Sequence, residues 1–420
     1  MTKTTFRYDF RPVGQGLFAS GQLYDDSECK YRWVYDCGTT SSQHLVTREL
    51  RAMKHQYFGE MRGKPTLDLV VLSHFDNDHI SGIARLLAEY SIDVLLLPHV
   101  PLWQRLLAAF EEGVDTHQPE MGFFLNPTAY LRSIGGAAIN RIVSVRGDGE
   151  SVAPDGEAPN SNGQVEGAPW EVAMQTQLID DSDDALLSVD GTTTGGRSQA
   201  AEQMRAGASI RVGNLWEFVP YNDVALSSRV TKSFHDHVAL LCERLLAATT
   251  AIDRTAALVE LKKTYDAQFG RSAIARNIIS LFMYAGPIVS PRTGSPIVKV
   301  LSIADYFLGA IEWRRWLDRT ACLYTGDGYL ATPRQLKHLS RHFGSRRLDG
   351  VGVLQVMHHG ARGNWHNGVA AKLKPAISIF SSDPNHQGFG HPHAEVLRDF
   401  LPFGPVQVDK DRRLVVYGNC

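Results

Sequence analysis

The sequence predicts an α/β layered fold, and three observations lead to this prediction. Two short runs at residues 67–72 and 94–97 are almost entirely apolar, which is the composition of buried strands. Between them, from Ile80 onwards, apolar residues recur with the spacing of a helix that faces a core. Strand and helix patterns then alternate along much of the remaining chain. Such alternation is typical of sheets covered by helices.

The N-terminal third is predicted to begin with strands. Residues 21–24 and 31–35 have strand patterns on either side of a polar turn at 25–30, and the segment that starts at Asp36 ends the second strand. The strand at 67–72 stops at Ser73. Further strands are predicted at 215–220, 278–284, 321–324, 351–356 and 376–380. Further helices are predicted at 234–270, 303–317, 333–342 and 394–401.

The charge of the chain is unevenly distributed. The formal net charge is −2, but twelve acidic residues and only two arginines lie between Asp148 and Arg205, which leaves +8 on the rest. The same region is rich in Gly, Ser, Asn and Pro and poor in aromatic residues, so it buries too little surface to offset its ordering entropy. We therefore predict two parts of one domain, 1–146 and 211–420, separated by an acidic, flexible insertion at 147–210.

Cysteine usage and hydropathy limit the class of protein. The five cysteines are scattered and include no CxxC pair, which is the pattern of reduced thiols rather than of a disulfide framework. The first ten residues lack the apolar core of a signal peptide. No stretch approaches the roughly 20 apolar residues of a membrane span. The sequence thus predicts a soluble, cytoplasmic protein with no membrane partner.

The segment from Ser73 to Gly82 carries the residues best suited to chemistry. His74, Asp76, Asp78 and His79 are four potential metal ligands within six positions, in the loop between a buried strand and a helix. His74 and Asp76 are two residues apart, so in an extended loop their side chains point the same way. The next two ligands lie on the following turn, within reach of a second ion. Mixed imidazole and carboxylate ligands suit zinc, manganese or iron(II).

This run resembles the HxHxDH signature of the metallo-β-lactamase superfamily, with Asp76 where most members have the second His. That replacement resembles the ComEC-type branch, the soluble hydrolase domain of bacterial DNA-uptake proteins. The resemblance spans nearly the whole chain except about 100–208, and it implies a four-layer αββα fold with a long insertion. Further motifs similar to those of the branch occur in the same order: Val13-Gly14-Gln15-Gly16, Tyr35-Asp36-Cys37-Gly38, Asn277-Ile278-Ile279-Ser280-Leu281, Thr325-Gly326-Asp327, His358-His359-Gly360 and Gly390-His391-Pro392-His393.

The resemblance implies a centre of two divalent ions, zinc or manganese, that share a bridging hydroxide. In this interpretation His74 and Asp76 hold the first ion, and Asp78 and His79 hold the second. Asp327 bridges the two ions, which a two-metal site requires in order to hold like charges close together.

The resemblance also assigns parts to the later histidines. His358 ends an apolar strand and is expected to be the remaining ligand of the second ion, with His359 facing the substrate or bracing a ligand. The sequence leaves the order of this pair open. His391 and His393 are expected to donate a proton to a leaving group or to bind an anion. We expect Asp78, His359 and His391 to act in catalysis.

Several of these residues have a simpler structural interpretation. Asp78 could cap the helix that follows it, and Asp327 could be an ordinary turn residue. Two His and two Asp in six positions after a buried strand are uncommon by chance, which favours the metal site for Asp78 and, beside it, for Asp327. His391 and His393 could belong to a surface turn built on Pro392, and for them both interpretations stay open.

The chain departs from the family pattern in one respect. Most superfamily members supply another His to the first ion between the opening motif and the Thr-Gly-Asp turn, in an HTxG-like segment that this sequence lacks. His99, His117, His235 and His237 are available, but none has the expected surroundings. We therefore expect the first ion to be held weakly, with partial occupancy.

Two shared metal ions suit the hydrolysis of esters, thioesters, amides or phosphodiesters. The resemblance and the positive body favour a phosphodiesterase or nuclease acting on an anionic substrate, which could be single- or double-stranded DNA or a nucleotide. One alternative is a hydrolase of a small anionic metabolite or nucleotide ester; another is a non-catalytic binding module of the same fold. The oligomeric state stays open. Basic residues near the later motifs could contact phosphates or form a solvated helix face: Arg334, Lys337, Arg341, Arg346, Arg347 and Arg362.

Overall fold

Nineteen strands and eleven helices form the described part of the chain in a computed structural model. The structure describes residues 4–59, 63–111, 113–116, 121–147, 170–178, 202–222, 232–269, 280–288, 297–298, 315–316, 319–386 and 388–419. The strands are β1 (Thr4–Phe10), β2 (Phe18–Asp25), β3 (Glu28–Cys37), β4 (Thr66–Val71), β5 (Ser91–Pro98), β6 (Ile139–Val145), β7 (Val172–Met174), β8 (Thr176–Leu178), β9 (Glu202–Met204), β10 (Ile210–Val212), β11 (Trp216–Asn222), β12 (Leu281–Pro287), β13 (Ile297–Val298), β14 (Arg315–Trp316), β15 (Ala321–Tyr324), β16 (Val351–Gln355), β17 (Ile377–Ser381), β18 (Pro405–Val408) and β19 (Leu414–Asn419).

The helices lie mainly between the strands. They are α1 (Gln43–Phe58), α2 (Asn77–Ile80), α3 (Ile83–Glu89), α4 (Leu102–Glu111), α5 (Met121–Leu125), α6 (Pro127–Gly135), α7 (Lys232–Ala247), α8 (Ala251–Phe269), α9 (Pro333–Asp349), α10 (Val369–Leu373) and α11 (Ala394–Phe400). None of the helices in the described ranges is both long and apolar enough to cross a membrane.

Two large mixed sheets contain most of the strands. The first has the order β19-β1-β2-β3-β4-β5-β6-β9-β8, and the second has the order β18-β17-β16-β15-β12-β11-β10-β7. Parallel pairing connects β3 through β6 in the first sheet and β15 through β18 in the second. Each sheet therefore has an edge at which the carboxyl ends of several strands lie side by side.

The apolar run that forms β4 is explained by burial on both faces. Leu67 and Val70 belong to a core cluster that also contains residues of α1, α3, α4, α7 and α8. Leu69 and Val71 point the other way, into a cluster built from both sheets. A strand covered on both sides needs apolar residues at consecutive positions instead of an alternating pattern.

The core consists of three such clusters. The second cluster joins the sheets and is rich in aromatic rings, such as Trp33 and Trp216, whose centroids are 6.4 Å apart. The third cluster packs α9, α10 and α11 against the second sheet through residues such as Phe343 and Phe400. Helices and sheets thus pack as the sequence predicts for an α/β protein, and this coarse prediction is confirmed.

The structure corrects several boundaries. The predicted helix at 234–270 is two helices, α7 and α8, with a break between Ala247 and Ala251. The predicted helix at 303–317 lies largely outside the described residues, and its described part, Arg315–Trp316, is strand β14. Helices α1, α4, α5, α6 and α10 were not predicted. Helix α4 begins directly after Pro101, and its apolar residues follow the helical period, so the sequence did contain a signal for it.

The predicted insertion at 147–210 contains ordered strands in its described part. β8 and β9 extend the first sheet, and β7 and β10 extend the second. A buried residue of this segment, Met204, belongs to the cluster between the sheets. The remainder, at 148–169 and 179–201, lies outside the described residues, so its flexibility and the domain boundaries stay predictions.

Candidate metal centre

The candidate site lies where the carboxyl edges of the two sheets meet. From the first sheet come Asp36, at the end of β3, and the loop that follows β4. From the second sheet come the loops after β15 and β16. Two hydrogen bonds connect the two edges. The Leu281 N–H of β12 donates to the Ser73 carbonyl at 2.7 Å, and the Tyr35 side-chain hydroxyl donates to the Leu281 carbonyl at 2.7 Å. The site is therefore built at a fixed junction between the sheets.

A buried carboxylate organises the first two histidines. Asp36 accepts hydrogen bonds from the Ser73 backbone N–H at 2.7 Å, from the Ser73 hydroxyl at 2.6 Å and from His79 Nδ1 at 2.7 Å. The Ser73 oxygen lies 2.8 Å from His74 Nδ1. Because the hydroxyl donates its proton to Asp36, its oxygen accepts from His74. Both imidazoles thus carry a proton on Nδ1, and in the neutral form of each ring the lone pair lies on Nε2.

The Nε2 atoms of His74 and His79 face a common space. His74 Nε2 and His79 Nε2 are buried and have no hydrogen-bond partner. Together with oxygens of Asp78 and Asp327, these ligand atoms all lie within 4.8 Å of one another. A buried polar atom without a partner costs free energy. Two such atoms beside two carboxylates have the donor set of a zinc or manganese site.

The backbone of Asp327 is held in position by two side chains. Its backbone N–H donates to Ser280 Oγ at 3.1 Å, and its carbonyl accepts from Asn364 Nδ2 at 2.7 Å. The preceding Gly326 has a φ of +51°, and a Cβ there would lie 2.4 Å from Ser280 Oγ. The Thr-Gly-Asp turn therefore requires glycine at this position, where both φ and space exclude a side chain.

His358 and His359 also have fixed tautomers. His359 Nδ1 lies 2.6 Å from the Ser381 carbonyl, which can only accept. His358 Nδ1 lies 2.8 Å from the side-chain oxygen of Asn364, whose amide nitrogen is already used as a donor. Both residues have positive φ, 44° and 56°. Two consecutive non-glycine residues in this region store backbone strain, which is typical of functional sites.

The four histidines divide into two pairs around Asp327. His74 Nε2 and His358 Nε2 lie 3.8 and 3.4 Å from its Oδ2 oxygen. His79 Nε2 and His359 Nε2 lie 3.0 and 3.6 Å from its Oδ1 oxygen. The carboxylate thus presents one oxygen to each pair.

The other two carboxylates follow the same division. Asp76 Oδ2 lies 3.7 Å from His74 Nε2. Asp78 Oδ2 lies 2.9 Å from His359 Nε2 and 3.8 Å from His79 Nε2. The site therefore has two halves, and each half contains two imidazoles, its own carboxylate and one oxygen of Asp327.

The pKa shifts show how strongly these groups interact. Burial and the neighbouring His79 lower the pKa of His74 to about 3. Burial also acts against the charged form of His79, but Asp327 and Asp36 outweigh it and hold its pKa well above the ordinary value. Burial opposes ionisation of Asp78 as well, yet His79 and His359 lower its pKa to about 2. Asp78 is therefore ionised near neutral pH, and its charge is balanced by His79 and His359 when these rings are protonated.

Two glycines allow the metal loop to approach its neighbours. A Cβ on Gly38 would lie 2.5 Å from the backbone nitrogen of His79. A Cβ on Gly16 would lie 2.5 Å from the Gly38 carbonyl, and the adjacent Leu17 N–H donates to the Asp78 carbonyl at 3.0 Å. The Val-Gly-Gln-Gly and Asp-Cys-Gly segments thus pack directly against the backbone of Asp78 and His79.

The ring of His391 packs against those of His358 and His359. Its ring centroid is 5.4 Å from that of His358 and 6.1 Å from that of His359, to which it is nearly parallel. It is 6% exposed, and its Nδ1 has no hydrogen-bond partner. His393 Nδ1 accepts from the Arg362 backbone N–H at 3.3 Å. His391 is therefore part of the site, whereas His393 braces the loop beside it.

The remaining predicted residues have different positions. Arg346 and Arg347 both bind the buried Glu217, and these contacts hold α9 against the second sheet; Arg347 is buried in this pair, whereas the side chain of Arg346 is 47% exposed. The other predicted basic residues, Arg334, Lys337, Arg341 and Arg362, have exposed side chains. Of the histidines considered for the first ion, His117 and the side chain of His235 lie outside the described residues.

Sequence reasoning missed the outer residues of the site. Asp36, Ser73 and Asn364 fix the ligating rings but were assigned no part in the site. For Asp36 a signal existed, because it lies in a motif that the family resemblance had singled out. For Asn364 there was none, since its role depends on how the chain folds back after β16.

Comparisons with known proteins do not identify the chain. No protein-family model matches the sequence, and no curated protein is similar to it.

Proposed function

We propose that this chain is a metal-dependent hydrolase with the metallo-β-lactamase fold, and that it cleaves phosphodiesters with two divalent ions. The observation that carries the proposal is the convergence of four imidazole nitrogens on three carboxylates, with each imidazole anchored through Nδ1. Imidazole nitrogens and carboxylate oxygens that face each other at 2.9–3.8 Å need positive charge between them, which either a second proton on the imidazole or a metal ion can supply. Divalent ions supply that charge and use every donor.

The arrangement of the core supports the fold that the family resemblance implies. One apolar cluster joins helices to the first sheet, the next joins the two sheets, and the last joins the second sheet to its helices. This order corresponds to four layers, αββα. The six motifs that resemble the ComEC-type branch contribute residues to the site or to the loops around it, which supports the relationship further.

The geometry supports a different ligand assignment from the one expected from the sequence. His358 was expected at the second ion, yet it lies in the half that contains His74 and Asp76. His359 lies in the other half, beside Asp78 and His79. We assign His358 to the first ion and His359 to the second.

This assignment supplies the ligand that the first ion had lacked. The absent HTxG-like histidine would be replaced by His358, so that the first ion has two imidazoles and two carboxylates, like the second. The expectation that the first ion is held weakly then no longer applies, and we propose that both ions bind.

A pair of such ions generates a nucleophile from water near neutral pH and stabilises charge on phosphoryl oxygens. The protein's own residues hold the ligands and position the substrate. Asp36 keeps the protons of His74 and His79 on Nδ1, directly or through Ser73, so that the inner nitrogens stay available. His391, with its unpartnered Nδ1, is positioned to bind an oxygen of the substrate or of the leaving group.

The exposed basic residues after the metal turn support an anionic substrate. Arg334, Lys337 and Arg341 are spaced three and four residues apart on α9, so they share one face of that helix. Contacts of such residues with phosphates give affinity without sequence preference. A hydrolase of a small anionic metabolite or nucleotide ester is the second candidate, and a non-catalytic binding module of the same fold is the third.

The decisive experiment combines metal analysis with two substrates. Purified protein loaded with manganese or zinc should contain two ions per chain and should cleave bis-p-nitrophenyl phosphate and single-stranded DNA. The Asp78→Ala variant should lose more than about a hundredfold in activity, because even the outer partners of metal ligands contribute ten- to a hundredfold. Asp266→Ala, which removes an exposed carboxylate on α8, is the matched control and should keep full activity.

The outcomes separate the candidates. Activity on the small diester but never on DNA would favour the second candidate. Stoichiometric metal with no hydrolysis of either substrate would favour the binding module. A wild-type protein that binds no metal would refute the proposal as a whole.

A further inference from the structure

An exposed aromatic ring lies beside the candidate metal centre. Phe389 lies between β17 and α11, and its side chain is 45% exposed. It is the one aromatic residue among the exposed large apolar side chains of the described ranges. Its ring centroid is 5.9 Å from that of His391, and the planes are inclined by 39°.

The ring of Phe389 belongs to a continuous set of rings that ends at the metal ligands. His391 is the intermediate member, since it contacts both His358 and His359. The centroids of Phe389 and His359 are therefore no more than 12 Å apart. The exposed ring of Phe389 thus lies near enough to contact a part of a substrate that reacts at the metal centre.

Unused polar atoms accompany this apolar face. His391 is more than nine-tenths buried, and its Nδ1 has no hydrogen-bond partner. His386 contacts Phe389 on another side, with centroids 5.2 Å apart, and its Nδ1 is likewise buried without a partner. An exposed ring next to unsatisfied nitrogens matches a ligand that is flat, apolar on its faces and polar at its edge.

We infer that Phe389 stacks on a nucleobase of the substrate next to the scissile phosphate, so that it acts as a specificity-determining residue. This inference rests on the proposed phosphodiesterase function. A nucleobase has both required properties, a π-face and a hydrogen-bonding edge. A base inside a duplex has its faces covered by its neighbours, so the preferred substrate is an unpaired strand or a nucleotide.

The test compares two single-stranded substrates that differ only in their bases. One is a short oligothymidine, and the other is an abasic strand of the same length with the same number of phosphodiesters. The wild-type enzyme with manganese should cleave the base-bearing strand with the higher kcat/KM, by about tenfold or more, in keeping with the contribution of one stacked base. Phe389→Ala should remove this preference and leave kcat/KM on the abasic strand unchanged.

Two further variants separate stacking from a structural role. Phe389→Tyr keeps the ring and should keep the preference, whereas Phe389→Leu keeps an apolar side chain without a ring and should lose it. Leu401→Ala removes another exposed apolar side chain, 59% exposed, and should behave like the wild type. These comparisons do not depend on the absolute activity of each preparation, because each enzyme is compared with itself on two substrates.

The results distinguish this inference from the function on which it rests. If the wild type cleaves neither strand, the proposed function fails. If it cleaves both strands and Phe389→Ala keeps the wild-type ratio, the function stands and stacking by Phe389 is refuted. An equal loss on both strands would also refute stacking, because it would show that Phe389 supports the site structurally.

Discussion

At the scale of single residues, Asp36 and Asn364 determine where the protons of the site lie. Each provides an oxygen acceptor for a histidine Nδ1, and each is itself fixed by other hydrogen bonds. An imidazole whose outer nitrogen is held in this way can rotate little and presents its inner lone pair in one direction. The geometry of the centre is thus set largely by residues that would never touch an ion.

The proposed assignment of His358 to the first ion and His359 to the second leads to a prediction about the number of metal ions per chain. Wild-type protein loaded with zinc and then desalted should retain two ions per chain, as measured by mass spectrometry of the metal. His358→Ala and His359→Ala should each retain about one, because each removes a ligand from a different half of the site. His342→Ala, which changes a histidine on α9 that binds the Pro220 carbonyl, is a suitable control. Loss of both ions from either variant would contradict the division into two halves.

What the sequence could predict at this scale depended on spacing. The run from His74 to His79 was recognisable because its ligands are neighbours in the chain. The order of His358 and His359 was not, because both residues have positive φ and the direction of their side chains follows from that unusual turn. Residue patterns that assume regular backbone cannot resolve such a pair.

At the scale of elements, the ligand loop depends on close approach between backbones. The end of β3 and the start of α2 touch at Gly38, where there is no room for a methyl group. Strands β3 and β4 were predicted from their apolar residues, whereas the contact between Gly38 and α2 depends on tertiary packing.

The contact at Gly38 can be tested by substitution. Gly38→Ala should displace the backbone of His79 and lower metal affinity by about ten- to a hundredfold, the range found when support for metal ligands is lost. Gly363→Ala is the matched control, because a Cβ there meets no atom within 4 Å. Titration of apoprotein with zinc, followed by competition with a chelator, measures both. Equal affinities in the two variants would show that the loop tolerates the shift.

At the scale of the whole molecule, the centre connects the two sheets. His74, Asp76, Asp78 and His79 follow strand β4 of the first sheet, and Asp327, His358 and His359 follow strands β15 and β16 of the second. A cation at this junction would bind only when both sheets are folded and packed against each other. Metal binding should therefore stabilise the complete fold and not a single part of it.

Removal of metal should lower the thermal stability of the protein. A ligand at a hundred times its Kd contributes about 2.7 kcal/mol, which for a chain of this size corresponds to a melting temperature higher by about 3 °C. Differential scanning fluorimetry with and without a chelator should show this difference for the wild type. It should be absent for a variant in which both Asp78 and Asp327 are replaced by Asn. A melting temperature that ignores the chelator in wild-type protein would argue against a site shared by both sheets.

At the scale of the whole molecule, the sequence predicted the fold class but not every strand of the two sheets. The alternation of strands and helices identified the α/β class, because both sheets have parallel strands with apolar runs such as the one in β4. The strands within 147–210 were missed, since β7, β8, β9 and β10 are only three residues long and lie in an acidic, glycine-rich region. Strands this short are specified by the sheets that they extend more than by their own composition.

The hydrogen bond between Leu281 and Ser73 has a consequence for biosynthesis. His79 and Asp327 are separated by 248 positions in the chain. At about 5–20 residues per second, a ribosome needs roughly 12–50 s to make the intervening segment. During that interval the nascent chain already carries four clustered ligands, but it lacks the strand whose amide closes onto Ser73 and the aspartate that completes the cluster. The complete set of candidate ligands therefore forms only late in synthesis or after release, when the second sheet has docked.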